Sequence, residues 1–344
     1  MVEIPEFTNR LVEAIDAAHE SRQGKPRPHM GVSMIGDPCD RRLWLSFRWA
    51  VQEKFSGRLL RVFRRGHQEE ISIIQDLRDA GLAVMGTNGY QEKVDFGSHV
   101  SGSIDGIITS GVPEAPYKKH IAEFKTHSLK SFKDLVAHGV QKSKPLHYTQ
   151  MQGYMHGTGI DRALYVAVCK DDDRIHTERV KYDKEFAEKA INRAKRIALE
   201  DRMPPPLTTD PTWFQCRFCP AHEFCHETKL TKHVNCRTCA HSTAKDDSTW
   251  RCELNDSAEI PIEFQHEGCV EHVLHPDLVP WQRKAGENEW SAVYVIDGKD
   301  VQNGSPDVRV FSSKEILANP SGCASDNPII KAVRETFPGA EIVG

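Results

Sequence analysis

The sequence lacks the apolar run that a membrane-spanning helix needs. No segment approaches the roughly 20 consecutive apolar residues required to cross a bilayer, and residues 1–22 lack the basic and apolar tandem of a secretory signal. The chain also has no internal repeat and no long low-complexity segment. We therefore expect a soluble cytoplasmic protein with no membrane partner. Its 344 residues are enough for one large domain with small appendages.

The chain also lacks an excess of positive charge. With 45 Lys and Arg against 49 Asp and Glu, its net charge of −4 argues against a generally basic nucleic-acid coat. A local excess exists between residues 41 and 65, where eight basic residues accompany one acid, Glu53. They are Arg41, Arg42, Arg48, Lys54, Arg58, Arg61, Arg64 and Arg65. This segment is either a basic groove or a solvated helix face.

Ten cysteines stand out against these absences. In a reducing compartment they are not expected to form a disulfide scaffold, and most lie in one C-terminal block with short spacings. That distribution indicates metal binding. Cys169 lies in an apolar run and is expected to be a core residue, and Cys323 is expected to be an unligated thiol.

Hydrophobic periodicity predicts an alternation of helices and strands. Expected helices cover residues 5–21, 37–49, 59–80, 145–157, 183–201 and 328–336, and expected strands cover 83–85, 90–96, 102–108, 120–126, 163–169, 175–180, 291–296 and 308–311. A polar, Lys-rich segment follows residue 125. The order of elements predicts an α/β fold with a mixed central sheet flanked by helices.

Two neighbouring predicted strands contain the candidate catalytic residues. Residues 102–108 and 120–126 are apolar runs separated by a Gly- and Pro-containing loop, so we expect them to pair. Pairing would bring together Asp105, Glu123 and Lys125. Two carboxylates can share a hard divalent cation, and Lys125 lies on the same strand face as Glu123. Such a site could hydrolyse a phosphodiester.

An acid-x-Lys triplet alone is weak evidence, because the chain also contains Glu227-Thr-Lys229 and Asp297-Gly-Lys299. Four further residues give the Glu123 triplet its context. They are His67 and Glu70, three apart on the predicted helix 59–80, and Gln150 and Tyr154, four apart on the helix 145–157. Taken singly, a helical histidine is more often an ordinary residue, and a tyrosine often only packs with its hydroxyl in water.

With these motifs the sequence resembles the PD-(D/E)XK nuclease superfamily. The resemblance is to its RecB-like branch, which includes the iron-sulfur exonucleases of CRISPR adaptation and the AddB nuclease domain, and it covers about residues 30–227. The matching residues are His67, Asp105, Glu123-Phe-Lys125 and Gln150-x-x-x-Tyr154. Ile104 stands where the superfamily name has proline, a departure frequent in this branch.

The resemblance implies a role for each matching residue. His67, Asp105 and Glu123 would bind Mg or Mn together with the Phe124 carbonyl, and the imidazole would favour Mn more than an all-carboxylate site does. Lys125 would orient the attacking water and stabilise negative charge on the phosphate. Two residues, Gln150 and Tyr154, would hold the DNA backbone, and Glu70 would support the site.

A first cysteine group is Cys216-x2-Cys219-x5-Cys225. Three close cysteines leave a fourth metal ligand to be found. One alternative is a zinc site that recruits His222 or His226. The family resemblance implies another: Cys39, far upstream, would complete a 4Fe-4S cluster that clasps the two ends of the nuclease domain.

A second cysteine group comprises Cys236, Cys239, Cys252 and Cys269, with His241, His266 and His272 nearby. These spacings, in a polar segment too small for its own core, predict a structural zinc module. The fourth ligand is either Cys269 or His272. The role of the zinc module could be DNA contact, partner docking or folding alone.

We therefore expect a RecB-like nuclease domain at residues 1–230, a zinc module at 231–275 and a small α/β appendage at 276–344. The expected function is a metal-dependent DNA exonuclease acting on single-stranded or resected ends, with 5′-to-3′ polarity, in recombination or replication. A recombination or replication protein could be its partner, and a phage origin would place it in the host cytoplasm. The alternatives are an endonuclease of the same fold, a non-catalytic DNA-binding or assembly protein, and a zinc-dependent regulator.

Overall fold

The computed structural model describes residues 9–86, 91–286, 291–337 and 339–343. Its strands are β1 (Met30–Gly31), β2 (Ala83–Met85), β3 (Lys93–Asp95), β4 (Val100–Ser103), β5 (Gly106–Ser110), β6 (His120–His127), β7 (Arg162–Cys169), β8 (Ile175–Lys181), β9 (Ser242–Ala244), β10 (Trp250–Cys252), β11 (Ala258–Glu259), β12 (Gln282–Ala285), β13 (Ala292–Ile296), β14 (Lys299–Asn303) and β15 (Val310–Phe311).

Its α-helices are α1 (Arg10–Glu20), α2 (Asp40–Phe47), α3 (Gly57–Asp79), α4 (Leu129–Ser143), α5 (Pro145–Thr158), α6 (Lys184–Leu199), α7 (Phe214–Arg217), α8 (Ile262–Gln265), α9 (Ser313–Ala318), α10 (Pro320–Cys323) and α11 (Pro328–Thr336). No helix in these described ranges is long and apolar enough to cross a membrane. The expected residues 5–8 of the first helix and residue 90 of the strand 90–96 lie outside the described ranges.

A five-stranded mixed sheet in the order β2-β5-β6-β7-β8 forms the centre of the molecule. Strands β6 and β7 are parallel, whereas the other neighbours are antiparallel. Helices α3 and α5 lie on opposite faces: Ile73 and Ile74 of α3 cluster with Phe124, and Met151 of α5 clusters with Tyr165. The predicted fold class, a mixed sheet flanked by helices, is confirmed.

The predicted pairing of the two site strands is confirmed, with Gly106 opposite Ala122 and Ile108 opposite His120. The prediction of one continuous strand over 102–108 is wrong. The chain leaves the strand after Ser103 and resumes at Gly106, so β4 pairs with β1 and β3 in a separate small sheet. The physical reason is that the Asp105 side chain accepts the Phe124 N–H, in the place of a backbone carbonyl.

Two findings go beyond the sequence prediction. The Lys-rich segment after residue 125 forms a helix, α4, interrupted at Gly139, where φ is +72°. Its apolar residues Phe132, Leu135 and Val140 are buried and pack the helix against the rest of the protein, although the many lysines make the segment polar on average. Conversely, the periodic apolar residues of α1 are not a core stripe, because none of its residues is buried.

The segment 231–275 does not build a core of its own within the described part of the chain. Its Ala244 and Trp250 belong to the same hydrophobic cluster as Trp44 and Phe47 of α2. Further along, β12–β15 form a four-stranded sheet with a separate cluster around Tyr294 and Val301. Cys169 is fully buried in the main cluster, as expected of a core residue.

Candidate active site

Glu123 and Lys125 project from the same face of β6, because side chains alternate along a strand. Glu123 is 0% exposed and forms an ion pair with the Lys125 ammonium. Burial, together with the negative charges of Asp105 and Glu70, raises the pKa of Glu123 to about 8, although Lys125 acts in the opposite sense. Burial acts to lower the pKa of Lys125, but the negative charges of Glu123 and Asp105 outweigh it and raise that pKa.

Asp105 joins this pair from the break between β4 and β5. Its Oδ2 accepts the Phe124 N–H at 3.1 Å and lies 3.5 Å from the Lys125 Nζ. The same Nζ donates to the Phe124 carbonyl at 3.1 Å. Asp105, Glu123, Lys125 and the Phe124 main chain therefore form one compact polar group around β6, the middle strand of the central sheet.

Helix α3 adds a third carboxylate. Burial and the nearby Asp105 raise the pKa of Glu70, whereas Lys125 and His67 lower it. His67 is exposed, one turn before Glu70, and forms no hydrogen bond to Asp105 or Glu123 within the described ranges. Glu70 is thus half-buried and interacts electrostatically with Asp105 and Lys125, whereas the predicted ligand His67 is exposed.

Helix α5 places Gln150 and Tyr154 behind Asp105 rather than in an open cleft. Tyr154 is 2% exposed, and its hydroxyl donates to the Ser103 carbonyl at 2.7 Å. Gln150 is also buried and hydrogen-bonds to Tyr154. A Cβ at Gly102 would lie 2.8 Å from the Tyr154 hydroxyl, so only glycine leaves room for this contact. In this arrangement both side chains support the turn that carries Asp105.

Three residues beside the site were missed by the sequence analysis. The Tyr165 hydroxyl lies 2.8 Å from His127 Nε2 and 2.8 Å from His147 Nδ1. Two signals could have identified them. His127 continues the face of β6 that carries Glu123 and Lys125, and His147 precedes Gln150 by about one helical turn. Tyr165 stands opposite Glu123 in the β6–β7 register, which only the structure reveals.

The donor set fits a hard divalent cation. Within the described ranges no hydrogen-bond donor reaches Glu123 Oε2, a buried carboxylate oxygen that a cation would satisfy. Asp105 and the Phe124 carbonyl supply further oxygens of the kind that Mg and Mn prefer. As they stand, no three His, Cys, Asp or Glu side chains of the described residues are arranged to hold one metal ion.

The first cysteine group converges on the start of α2. Cys39 is the N-cap of that helix, and its sulfur accepts the Arg42 N–H at 3.4 Å. Burial raises the pKa values of the other three thiols, and Cys39 contributes to each increase. These three are Cys216, Cys219 and Cys225. Cys39 thus lies near enough to perturb the three other thiols, although no three of the described thiols are arranged to hold one metal ion.

Thiols of the second cysteine group also perturb one another. Burial raises the pKa of Cys236 to about 11, with contributions from Cys269 and Cys252, and that of Cys239 to about 12. His272, the alternative fourth ligand, is committed elsewhere: its Nδ1 lies 2.7 Å from Ser313 Oγ and its Nε2 3.1 Å from the Asn235 carbonyl. Cys269, by contrast, contributes to the raised pKa values of both Cys236 and Cys239.

No protein-family model and no curated protein match the sequence. Among solved structures, the crystal structure of SSO0001 is 15% identical with a TM-score of 0.39, covering 64% of this chain and 97% of that one. An alkaline exonuclease (LHK-Exo) from Laribacter hongkongensis is 17% identical with a TM-score of 0.36, covering 54% of this chain and 90% of that one. The structure of the same exonuclease in complex with dAMP is 16% identical to this chain with a TM-score of 0.35, and it has the same coverage of both chains. Nothing about activity follows from likenesses this low.

Proposed function

We propose that this chain is a metal-dependent deoxyribonuclease, with its active site at Asp105, Glu123 and Lys125. The observation that carries the proposal is Glu123, a fully buried carboxylate beside a second carboxylate and an ammonium, with one oxygen that no described donor satisfies. Burying such a group is costly unless a cation completes it.

Asp105, Glu123 and the Phe124 carbonyl would hold Mg or Mn, with Glu70 or His67 completing the set. When bound, the ion lowers the pKa of a coordinated water and offsets charge on the phosphate. Lys125 is already placed by Glu123, Asp105 and the Phe124 carbonyl, so its ammonium can orient the water and stabilise the developing negative charge. Gln150 and Tyr154 keep Asp105 in position.

The substrate that we propose is DNA with single-stranded or resected ends, degraded as an exonuclease with 5′-to-3′ polarity. Recombination or replication is the setting that the family resemblance implies, with a protein of the same process as a partner. The exposed basic residues Arg58, Arg64 and Arg65 on α3, the helix that carries Glu70, support a track for a phosphate backbone. An endonuclease and a non-catalytic DNA-binding protein are the competing outcomes of the test below.

The test uses purified protein with Mg or Mn and single strands labelled at either end, beside a circular single strand. We expect the linear strands to shorten from the 5′ end and the circle to survive, and we expect Glu123→Ala and Lys125→Ala to reduce the rate about 10³-fold. Glu227→Ala and Lys299→Ala, taken from the two other acid-x-Lys triplets, are matched controls that should cut like wild type. Cutting of the circle would show an endonuclease.

Failure of the wild type to cut any of these strands would remove the nuclease proposal. DNA binding without cutting would then favour the non-catalytic alternative. Equal activity in both site variants and wild type would overturn the assignment of the site, because neither Glu123 nor Lys125 would then contribute.

We further propose a 4Fe-4S cluster on Cys39, Cys216, Cys219 and Cys225 and a structural zinc on Cys236, Cys239, Cys252 and Cys269. The proposed boundaries at residues 230 and 275 follow these two groups. Protein purified without oxygen should be brown and should contain iron and zinc, and Cys39→Ala should lose the iron alone. A colourless wild-type protein that contains only zinc would overturn the cluster, leaving the zinc alternative for the first group.

A further inference from the structure

A chain of polar side chains runs from the first turn of α4 towards the proposed active site. It begins at Ser131 Oγ, which lies 3.1 Å from His127 Nδ1. It continues from His127 Nε2 to the Tyr165 hydroxyl and from there to His147 Nδ1, each at 2.8 Å. The four residues belong to α4, β6, β7 and α5, so the chain ties together the elements around Glu123.

All members of this chain are neutral near pH 7. Burial, assisted by the ammonium groups of Lys144 and Lys125, lowers the pKa of His127 to about 4. Burial and the same two lysines lower the pKa of His147 to about 3. Burial also raises the pKa of the Tyr165 phenol. A neutral imidazole carries one N–H and a phenol carries one O–H.

With one proton on each ring, the hydrogen bonds can run in only two directions. In the first, Ser131 donates to His127, His127 donates to Tyr165, and Tyr165 donates to His147 Nδ1, which leaves the proton of His147 on Nε2. In the second, every donor and acceptor is exchanged and His147 Nε2 is a bare lone pair. Tyr165 is the element that couples the two rings, because its single O–H must point to one of them.

The outer end of the chain is open. Within the described ranges nothing forms a hydrogen bond with His147 Nε2, and the side chain is partly exposed, unlike the buried Tyr148, Thr149 and Gln150 that follow it. Lys125 and Lys144 lie near enough to perturb the ring, but both are already paired, Lys125 with Glu123 and Asp105 and Lys144 with Asp134. For a DNA phosphate at the proposed active site, the Nε2 position offers a contact only as an N–H, because an anion binds an N–H rather than a lone pair.

We propose that His127 and Tyr165 hold His147 in its Nε2–H form, and that this N–H binds a phosphate oxygen of the DNA strand at the active site. The inference rests on the proposed nuclease function. His147 is then a substrate-binding residue, whereas His127 and Tyr165 act through it as positioning residues.

The molecule supplies a matched control. His156, on the same helix as His147, has its Nδ1 2.7 Å from the Tyr182 hydroxyl, but no second imidazole lies on the other side of that phenol among the described hydrogen bonds. Tyr182→Phe removes one hydroxyl from a His–Tyr pair, as Tyr165→Phe does. It should leave His147 unchanged.

The first experiment is long-range ¹H–¹⁵N NMR of histidine-labelled protein without metal, with His147→Gln identifying the signals of that ring. Wild type should show His147 as the Nε2–H form, and Tyr165→Phe should convert it to a mixture of both forms. Tyr182→Phe should affect only His156. A wild-type ring with its proton on Nδ1, or a ring unchanged by Tyr165→Phe, would overturn the proposal. Because no cleavage is measured, this result is independent of the nuclease assignment.

The second experiment measures binding of a labelled single-stranded oligonucleotide with EDTA present, and then cleavage with Mn. His147→Ala should weaken binding about three- to tenfold, as loss of one hydrogen bond to a charged group does, and should raise KM more than it lowers kcat. Tyr165→Phe should have a smaller effect in the same direction. If wild type binds but does not cut, the nuclease proposal fails while this one stands. If His147→Ala binds as tightly as wild type, the phosphate contact is wrong.

Discussion

Two buried charged groups in this molecule are built in opposite ways. Arg237 is 1% exposed, yet each of its three side-chain nitrogens donates a hydrogen bond: it bonds to Gln265 and to the carbonyls of Phe47 and Pro28, and its guanidinium lies 3.8 Å from the centre of the Trp49 ring. Glu123 is equally buried, but one of its oxygens has no donor among the described residues. The first site is complete as folded, and the second is not.

The difference separates a structural charge from a functional one. Arg237 joins the segment after residue 230 to α2, and its hydrogen bonds offset the cost of removing a cation from water. Burial and the neighbouring Arg48 still lower its pKa to about 9. Glu123 keeps a high affinity for any cation, a proton included, which is the property required of a metal ligand.

The substitution Glu123→Gln tests most directly whether Glu123 is functional rather than structural. We expect nuclease activity to fall about 10³-fold, because an amide cannot neutralise a bound cation. We expect the free energy of unfolding to change by less than about 1 kcal/mol, since a carboxyl with a pKa of about 8 already carries a proton at pH 7 most of the time. Paired cleavage and urea-unfolding measurements check both. A large loss of stability would show that Glu123 is structural.

Arg237→Met should behave in the reverse manner. It leaves two carbonyls and the Gln265 side chain without their donor, so we expect unfolding to become easier by about 3–5 kcal/mol. The cleavage rate per folded molecule should be unchanged, because no contact of Arg237 reaches Asp105 or Glu123 in the described ranges. Urea titration with an activity assay at low temperature measures both. An active-site defect at full stability would contradict the distinction.

The pH dependence of stability gives a smaller test. Because folding raises the pKa of Glu123 from its ordinary value near 4.5 to about 8, the folded metal-free protein holds this proton more tightly than the unfolded chain does. The contribution to stability is full below pH 4.5 and is lost as the pH rises towards 8, with a slope of up to about 1.4 kcal/mol per pH unit. Glu123→Gln should lack this slope. Parallel slopes in the two proteins would contradict the assigned pKa.

Tyr154→Phe should have the smallest effect. It decides whether Tyr154 supports the turn before Asp105 or contacts the DNA backbone. Loss of its hydrogen bond to the Ser103 carbonyl should cost about 1 kcal/mol of stability. If Tyr154 only supports the turn before Asp105, binding of a DNA strand in EDTA should be unaffected. Weaker binding at unchanged stability would instead support the direct backbone contact that the family resemblance implies.

The sequence predicts those features that depend on local periodicity. Alternation along β6 places Glu123 and Lys125 on one face, and the apolar runs on either side of the 111–119 loop predict the pairing that brings Asp105 near them. The break at Asp105 could not be predicted, because it depends on a side chain that replaces a main-chain acceptor in another strand. Tyr165 is equally hidden, since only the parallel register of β6 and β7 sets it opposite Glu123.

The cysteines show a similar division. Spacing alone groups Cys216, Cys219 and Cys225, whereas Cys39 enters by family resemblance and is placed near them by the fold. The burial of the segment 231–275 was not foreseen, because its few apolar residues are complemented by α2. A polar segment indicates a separate small module only when its apolar residues do not pack against a neighbouring part of the protein.

Because the strand breaks after Ser103, Asp105 lies between β4 of the small sheet and β5 of the central sheet. Its carboxylate fastens the small sheet β1-β4-β3 to the central sheet through the Phe124 N–H, and the same carboxylate faces the Lys125 ammonium. Any substitution that removes its oxygens therefore loosens an architectural fastening while it alters the chemistry. Loss of activity in Asp105→Ala is consequently the least informative result in a mutational survey of this site, although Asp105 is the residue on which both sheets depend.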